Sequence, residues 1–81
     1  MKGKVGDFIL IVDDLHIKKY EGCLGKIIKI IWDKYNPPFQ YLAKIYNSPV
    51  RNQDYFYDEE IIILKSKTFK DAKDEVMVEL L

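Results

Sequence analysis

The sequence predicts a mainly β fold, a small five-stranded barrel followed by a C-terminal helix. Two observations lead there. Short runs rich in Ile, Tyr and Phe, residues that suit a pleated and half-buried surface, alternate with Gly, Pro, Asn and Asp clusters that suit turns. Only after residue 66 does the apolar spacing change from the strand period to the helical one. With 81 residues, 48% of them hydrophobic and 14% aromatic, the chain is long enough for one domain with one thin core. The expected division is a barrel over residues 1–66 and a helical segment over 67–81, packed on the barrel or extending from it.

Each element follows in order. Lys4-Val5-Gly6-Asp7 is a turn, in which Gly permits unusual dihedrals and Asp accepts a backbone hydrogen bond. Phe8 to Val12 is the first strand, apolar on both faces as a strand inside a closed sheet would be, and Asp13-Asp14 ends it. Residues 13–23 form a long first loop holding His16 and Cys23, and Gly22 and Gly25 bracket its exit. Leu24 to Trp32 is the second strand and mixes two patterns: Ile28, Ile30 and Trp32 alternate on one side, Ile27 and Ile31 on the other. A bulge or sharp bend accounts for the mixture.

Asp33 to Pro38 is a connection, because its two prolines cannot donate to a ladder. Phe39 to Tyr46 is the third strand, with Tyr41, Ala43 and Ile45 on one face and Gln40, Leu42, Lys44 and Tyr46 on the other. A polar turn over 47–53 leads to a short fourth strand, Asp54 to Tyr57. Asp58-Glu59-Glu60 then makes one tight helical turn, read as a solvated cap, before the fifth strand, Ile61 to Leu64. Thr68 is a suitable N-cap. Phe69, Ala72, Val76 and Leu80 form a helical stripe that either seals one side of the barrel or awaits a partner.

Thirteen basic and thirteen acidic residues cancel. A nucleic-acid binder usually carries a basic excess, because phosphate neutralisation supplies most of its affinity, so the balance disfavours that class unless charge segregates by face. The opening residues show no charged-then-apolar leader, and the run Phe8 to Val12 is far short of the roughly 20 residues that span a bilayer. Cys23 has no second cysteine to pair with. A cytoplasmic protein without membrane contact is therefore expected, as a monomer or weak homodimer.

Candidate chemistry is sparse. A structural zinc site takes about four ligands, and one Cys with one His does not supply them. His16 reads as an ordinary loop residue and Cys23 as a small, partly buried apolar one. No phosphate-binding glycine loop, nucleophile triad or dinucleotide fingerprint occurs. No metal, no cofactor and no enzymatic activity are expected. The aromatics carry more information: Tyr20, Tyr35, Phe39, Tyr41, Tyr46, Tyr55 and Tyr57 exceed what so small a core holds, and exposed Tyr commonly marks recognition surfaces. Lys18, Lys19, Lys34 and Arg51 lie in loops beside several of them. The expected binding residues are Tyr20, Lys34, Tyr35, Phe39, Tyr41, Arg51, Tyr55 and Tyr57.

Three segments together carry a resemblance: Val5-Gly6-Asp7-Phe8-Ile9, Gly22-Cys23-Leu24-Gly25-Lys26-Ile27 and Phe56-Tyr57-Asp58-Glu59-Glu60-Ile61. Over residues 3–65 the chain resembles small SH3-like barrels, the group that includes KOW-type modules and short phage or accessory-subunit barrels. Gly22 to Ile27 matches the Gly-x-x-Gly-x-Ile element that recurs in KOW-like sequences. The acidic aromatic first-loop motif and paired tryptophan of signalling SH3 domains are absent, which speaks against proline-rich peptide binding. The resemblance implies a non-enzymatic module acting through protein–protein interaction, a phage or mobile-element accessory protein modulating a host complex. The alternative it implies is a KOW-type RNA- or DNA-binding module using Lys18, Lys19, Lys34, Tyr35 and Arg51.

Overall fold

The computed structural model describes residues 3–13, 19–31 and 40–79. Along the chain these form β1 (Phe8–Ile11), β2 (Leu24–Ile31), β3 (Gln40–Ile45), β4 (Gln53–Tyr57), a 3-10 turn at Asp58–Glu60, β5 (Ile61–Ile63) and α1 (Phe69–Glu79). The strands make one antiparallel sheet in the order β4-β3-β2-β1-β5. Strand number and the C-terminal helix agree with expectation. The expected closure does not appear, because among the described residues no ladder joins β4 to β5 and the sheet is open there.

The turns are built as the residue types require. Lys4 donates its amide to Asp7 Oδ2 at 3.0 Å, and Asp7 returns its amide to the Lys4 carbonyl. A turn over Tyr20–Cys23 is closed by the Cys23 amide on the Tyr20 carbonyl, and its third residue, Gly22, sits at φ 85°. That left-handed value is one side chains other than glycine rarely adopt. Gly25 answers a different need. A Cβ there would lie 2.7 Å from the Lys44 carbonyl oxygen, so the close approach of β2 and β3 depends on its absence.

The predicted bulge is real and lies at Ile28. Ile27 pairs with Ala43 and Lys29 with Leu42, leaving Ile28 without an opposite residue. The extra residue resets the alternation, so Ile27 and Ile30 both face the core while Ile28 is 40% exposed. The expected grouping of Ile28 with Ile30 is corrected accordingly. β3 alternates as predicted, with Tyr41, Ala43 and Ile45 all buried.

Two apolar clusters lie on opposite faces of β1. Ile9 and Ile11 join Tyr20, Ile27, Tyr41, Ala43, Ile45, Phe56 and Ile61, whereas Phe8 and Leu10 join Leu24, Leu64, Ala72 and Val76. The apolar character of β1 on both faces thus arises from the helix: α1 lies over the outer face of β1 and β2. Thr68 starts it, accepting the Asp71 amide on Oγ1 at 3.2 Å and the Ala72 amide on its carbonyl. Ala72 and Val76 of the predicted stripe are buried and Phe69 is half-exposed, while Leu80 lies outside the described residues. The Glu75 carboxylate fastens the connector to α1 through the Lys65 and Ser66 amides and the Ser66 hydroxyl, the last at 2.6 Å. The Ser66 hydroxyl, followed by the Lys65 amide, holds its carboxyl below the ordinary value.

The acidic turn departs from the solvated cap expected of it. Glu60 is 1% exposed and takes the Tyr57 amide on Oε1 at 2.8 Å, while its carbonyl accepts the Val12 amide. Asp58 accepts the Tyr41 hydroxyl. The turn is therefore a junction between the end of β1, the ring of Tyr41 and the start of β5.

Two outward positions on the edge of β4 are occupied by side chains. Ile45 donates to the Asn52 carbonyl, so the backbone groups of Asp54 and Phe56 face β3 and those of Tyr55 and Tyr57 face away. The outward amide of Tyr55 goes to Asp54 Oδ1 at 2.8 Å, and that of Tyr57 to Glu60 Oε1.

Candidate binding surface

The eight residues expected to bind divide into four groups. Lys34, Tyr35 and Phe39, like His16 and Lys18 from the earlier reading, lie outside the described residues. Tyr20 and Tyr41 are 1% and 0% exposed, so neither ring is a contact surface. Tyr57 is half-buried. Arg51 and the 53%-exposed Tyr55 come together, and they line one groove.

Tyr20 and Tyr41 are held by their hydroxyls. Tyr20 packs edge-on against Phe56 and donates to Asp54 Oδ2 at 3.0 Å. Burial, reinforced by the Asp54 carboxylate, pushes its phenol above the ordinary value, and the nearby Arg51 backbone works in the opposite direction. Tyr41 accepts the Gly3 amide at 3.0 Å and donates to Asp58. Each buried ring thus carries its polar tip to a partner, as buried Tyr requires. Tyr20 grips the base of the β3–β4 hairpin and so positions the groove without lining it.

That groove encloses about 550 Å³ on the outer side of the hairpin, against Leu42, Val50, Arg51, Asn52, Gln53, Asp54 and Tyr55. Leu42 lies directly opposite Tyr55, and Asn47, at φ 54°, turns the chain between the two strands. Tyr55 and Val50, 48% exposed, supply apolar area and Arg51 a cation at the rim.

Sequence reasoning missed the residues that extend this surface. Lys26 stands directly opposite Lys44, Lys29 opposite Leu42 and Lys44 opposite Gln53, all on the outer face. Lys26 Nζ lies 5.3 Å from the Phe8 ring centre and Lys44 Nζ 5.2 Å from that of Tyr46. The signal was present in the sequence: residues 24–31 and 40–53 contain Lys26, Lys29, Lys44 and Arg51 and no Asp or Glu. Only the strand register shows that the three lysines share a face, and the groove lining brings Arg51 to it.

A second, smaller groove of about 250 Å³ runs between α1 and the start of β2, against Cys23, Leu24, Tyr46, Phe69, Lys73 and Met77. Tyr46 and Phe69 meet there at 4.5 Å between ring centres. Burial raises the Cys23 thiol, which disfavours the reactive thiolate. Among the described residues no group of three or more His, Cys, Asp or Glu converges, and no helix is long and apolar enough to cross a membrane.

No family model, curated protein or solved structure matches this chain.

Proposed function

We propose that this chain is a non-enzymatic SH3-like barrel that acts as a protein-binding module, with the groove around Tyr55 as its contact site. The fold assignment is supported by the order β4-β3-β2-β1-β5, by a bulged and long β2 able to serve two halves of a barrel, and by the 3-10 turn between β4 and β5. The observation that carries the functional reading is Tyr55: a rigid aromatic ring, 53% exposed, faces a groove shared with Leu42, Val50 and Arg51. An aromatic beside an arginine is the composition of interface anchors, whereas a ring kept for stability would be turned inward like Tyr20 and Tyr41. The role of an accessory protein from a phage or mobile element, modulating a host complex, rests on the sequence resemblance.

The test is affinity capture from source-cell lysate, split into nuclease-treated and untreated halves, with wild type and Tyr55→Ala side by side. A protein retained by wild type, indifferent to nuclease and lost with Tyr55→Ala, supports the reading. Retention that vanishes with nuclease replaces it with the KOW-type RNA- or DNA-binding module. Capture unaffected by Tyr55→Ala sinks the groove as the site.

A further inference from the structure

We infer that the contact surface reaches beyond the Tyr55 groove across the outer face of β2–β4, and that it docks an acidic segment of the protein partner. The inference rests on the protein-binding reading and specifies the partner's chemistry. Its basis is charge segregation in a chain with no net charge. Lys26, Lys29, Lys44 and Arg51 stand around Leu42 and Tyr55, and residues 24–31 and 40–53 bring no carboxylate to the face. Asp54 is the one acid that lines the groove, and its two carboxylate oxygens are taken up by the Tyr20 hydroxyl and the Tyr55 amide.

The pairing of Lys26 with Lys44 sharpens the point. Like charges directly opposite across an antiparallel ladder destabilise it, and residues 24–31 and 40–53 supply no acid to relieve this pair. A negatively charged ligand lying over the two ammonium groups does. The cations are also presented in fixed places: the faces of Phe8 and Tyr46 hold Lys26 and Lys44 by cation–π contact.

An acidic peptide fits this face better than a nucleic-acid strand. Stacking of successive bases needs several free rings. Among the described rings of the strip, Tyr55 alone is more than half exposed; Tyr46 is engaged by Phe69 and Phe8 is buried. Among the described residues, one aromatic, flanked by Leu42 and Val50 and bordered by cations, matches an acidic segment with an apolar anchor.

The experiment titrates the isotope-labelled full chain with a peptide of alternating glutamate and tyrosine, and separately with oligouridylate and oligothymidylate of matched charge, following the backbone amide signals. The expected result is that the peptide moves the signals of Lys29, Lys44, Arg51 and Tyr55, with affinity falling severalfold between about 50 and about 200 mM salt. Lys29→Glu with Lys44→Glu, both at exposed positions, weakens the peptide about tenfold, and the equally charge-reversed control Lys67→Glu with Lys70→Glu less than about twofold. The control also separates loss of the strip from a change in net charge, and an unchanged amide spectrum shows that the variants are folded. Tighter binding of either oligonucleotide on the same strip overturns the inference and the protein reading with it. Absence of any peptide effect on these signals overturns the inference alone, since Tyr55-dependent capture of a partner then still supports the protein reading.

Discussion

Removing one oxygen atom, in Tyr41→Phe, tests how the core is anchored. The ring is 0% exposed, and phenylalanine refills its volume, so packing against Ile27 and Phe56 persists. What disappears is the hydroxyl that accepts the Gly3 amide at 3.0 Å and donates to Asp58. The Gly3 amide is buried and loses its partner, which costs about 1–3 kcal/mol. Asp58 is half-buried and regains water, so its lost bond adds only about 0.5–1.5 kcal/mol. Together about 1.5–4.5 kcal/mol is expected, a large share of the roughly 4–12 kcal/mol a chain of this size commands. Urea denaturation followed by circular dichroism reads it directly: the midpoint falls while the slope with denaturant stays unchanged. In a thermal scan the shift is at least about 6 °C, given roughly 4–8 °C per kcal/mol in small domains. Tyr55→Phe, altering an exposed ring, is the control and should stay within about 0.5 kcal/mol. A Tyr41→Phe midpoint as close to wild type as that control refutes the anchoring argument.

Three further outcomes are expected. Gly25→Ala puts a Cβ against the Lys44 carbonyl at 2.7 Å and forces β2 from β3, lowering stability by about 1–3 kcal/mol in the same urea assay; an unchanged midpoint contradicts the close approach. Truncation after Leu64 uncovers Phe8, Leu10 and Leu24 at about 1.5–3 kcal/mol for each side chain fully exposed, so the shortened chain should lose its cooperative thermal transition; a transition at the wild-type temperature shows the helix to be dispensable. Glu75→Gln should lower the melting temperature at neutral pH. The folded carboxyl sits below its ordinary value, so its contribution is present above that value and is lost as the pH falls through the folded one. Wild type and variant therefore converge in acid, and a difference that persists there contradicts the role given to the charge.

Much of the fold was legible in local pattern. The five strands, the turn at Gly6-Asp7, the Thr68 cap and the tight turn before β5 all rest on residue types whose backbone preferences operate over a few positions. The faces of β2 were not legible. Strand alternation is a period-two argument, and a single unpaired residue at Ile28 inverts it for everything downstream. The rings misled for a related reason: Tyr suits core and surface equally, and what turned Tyr20 and Tyr41 inward was a pair of aspartates 34 and 17 residues away. Distance also hid Glu60: its side chain takes the Tyr57 amide only three residues away, but its carbonyl meets the Val12 amide at the end of β1. Of the candidate site, Arg51 and Tyr55 could be read from a basic loop next to an aromatic strand. Lys26, Lys29 and Lys44 could not, because they become neighbours only through the ladder.

The carboxylates along the edge of β4 bear on how any partner is met. A row of unclaimed amides is an invitation to another strand, and it accepts nearly any sequence because backbone is common to all. Here the Tyr55 and Tyr57 amides are already spoken for within the chain. Indiscriminate growth by strand addition, whether with a stranger or with a copy of itself, meets two filled positions on that border. A partner docking on the adjoining face would instead have to match its side chains in shape and charge, while Asp54 and Glu60 keep those two edge positions filled.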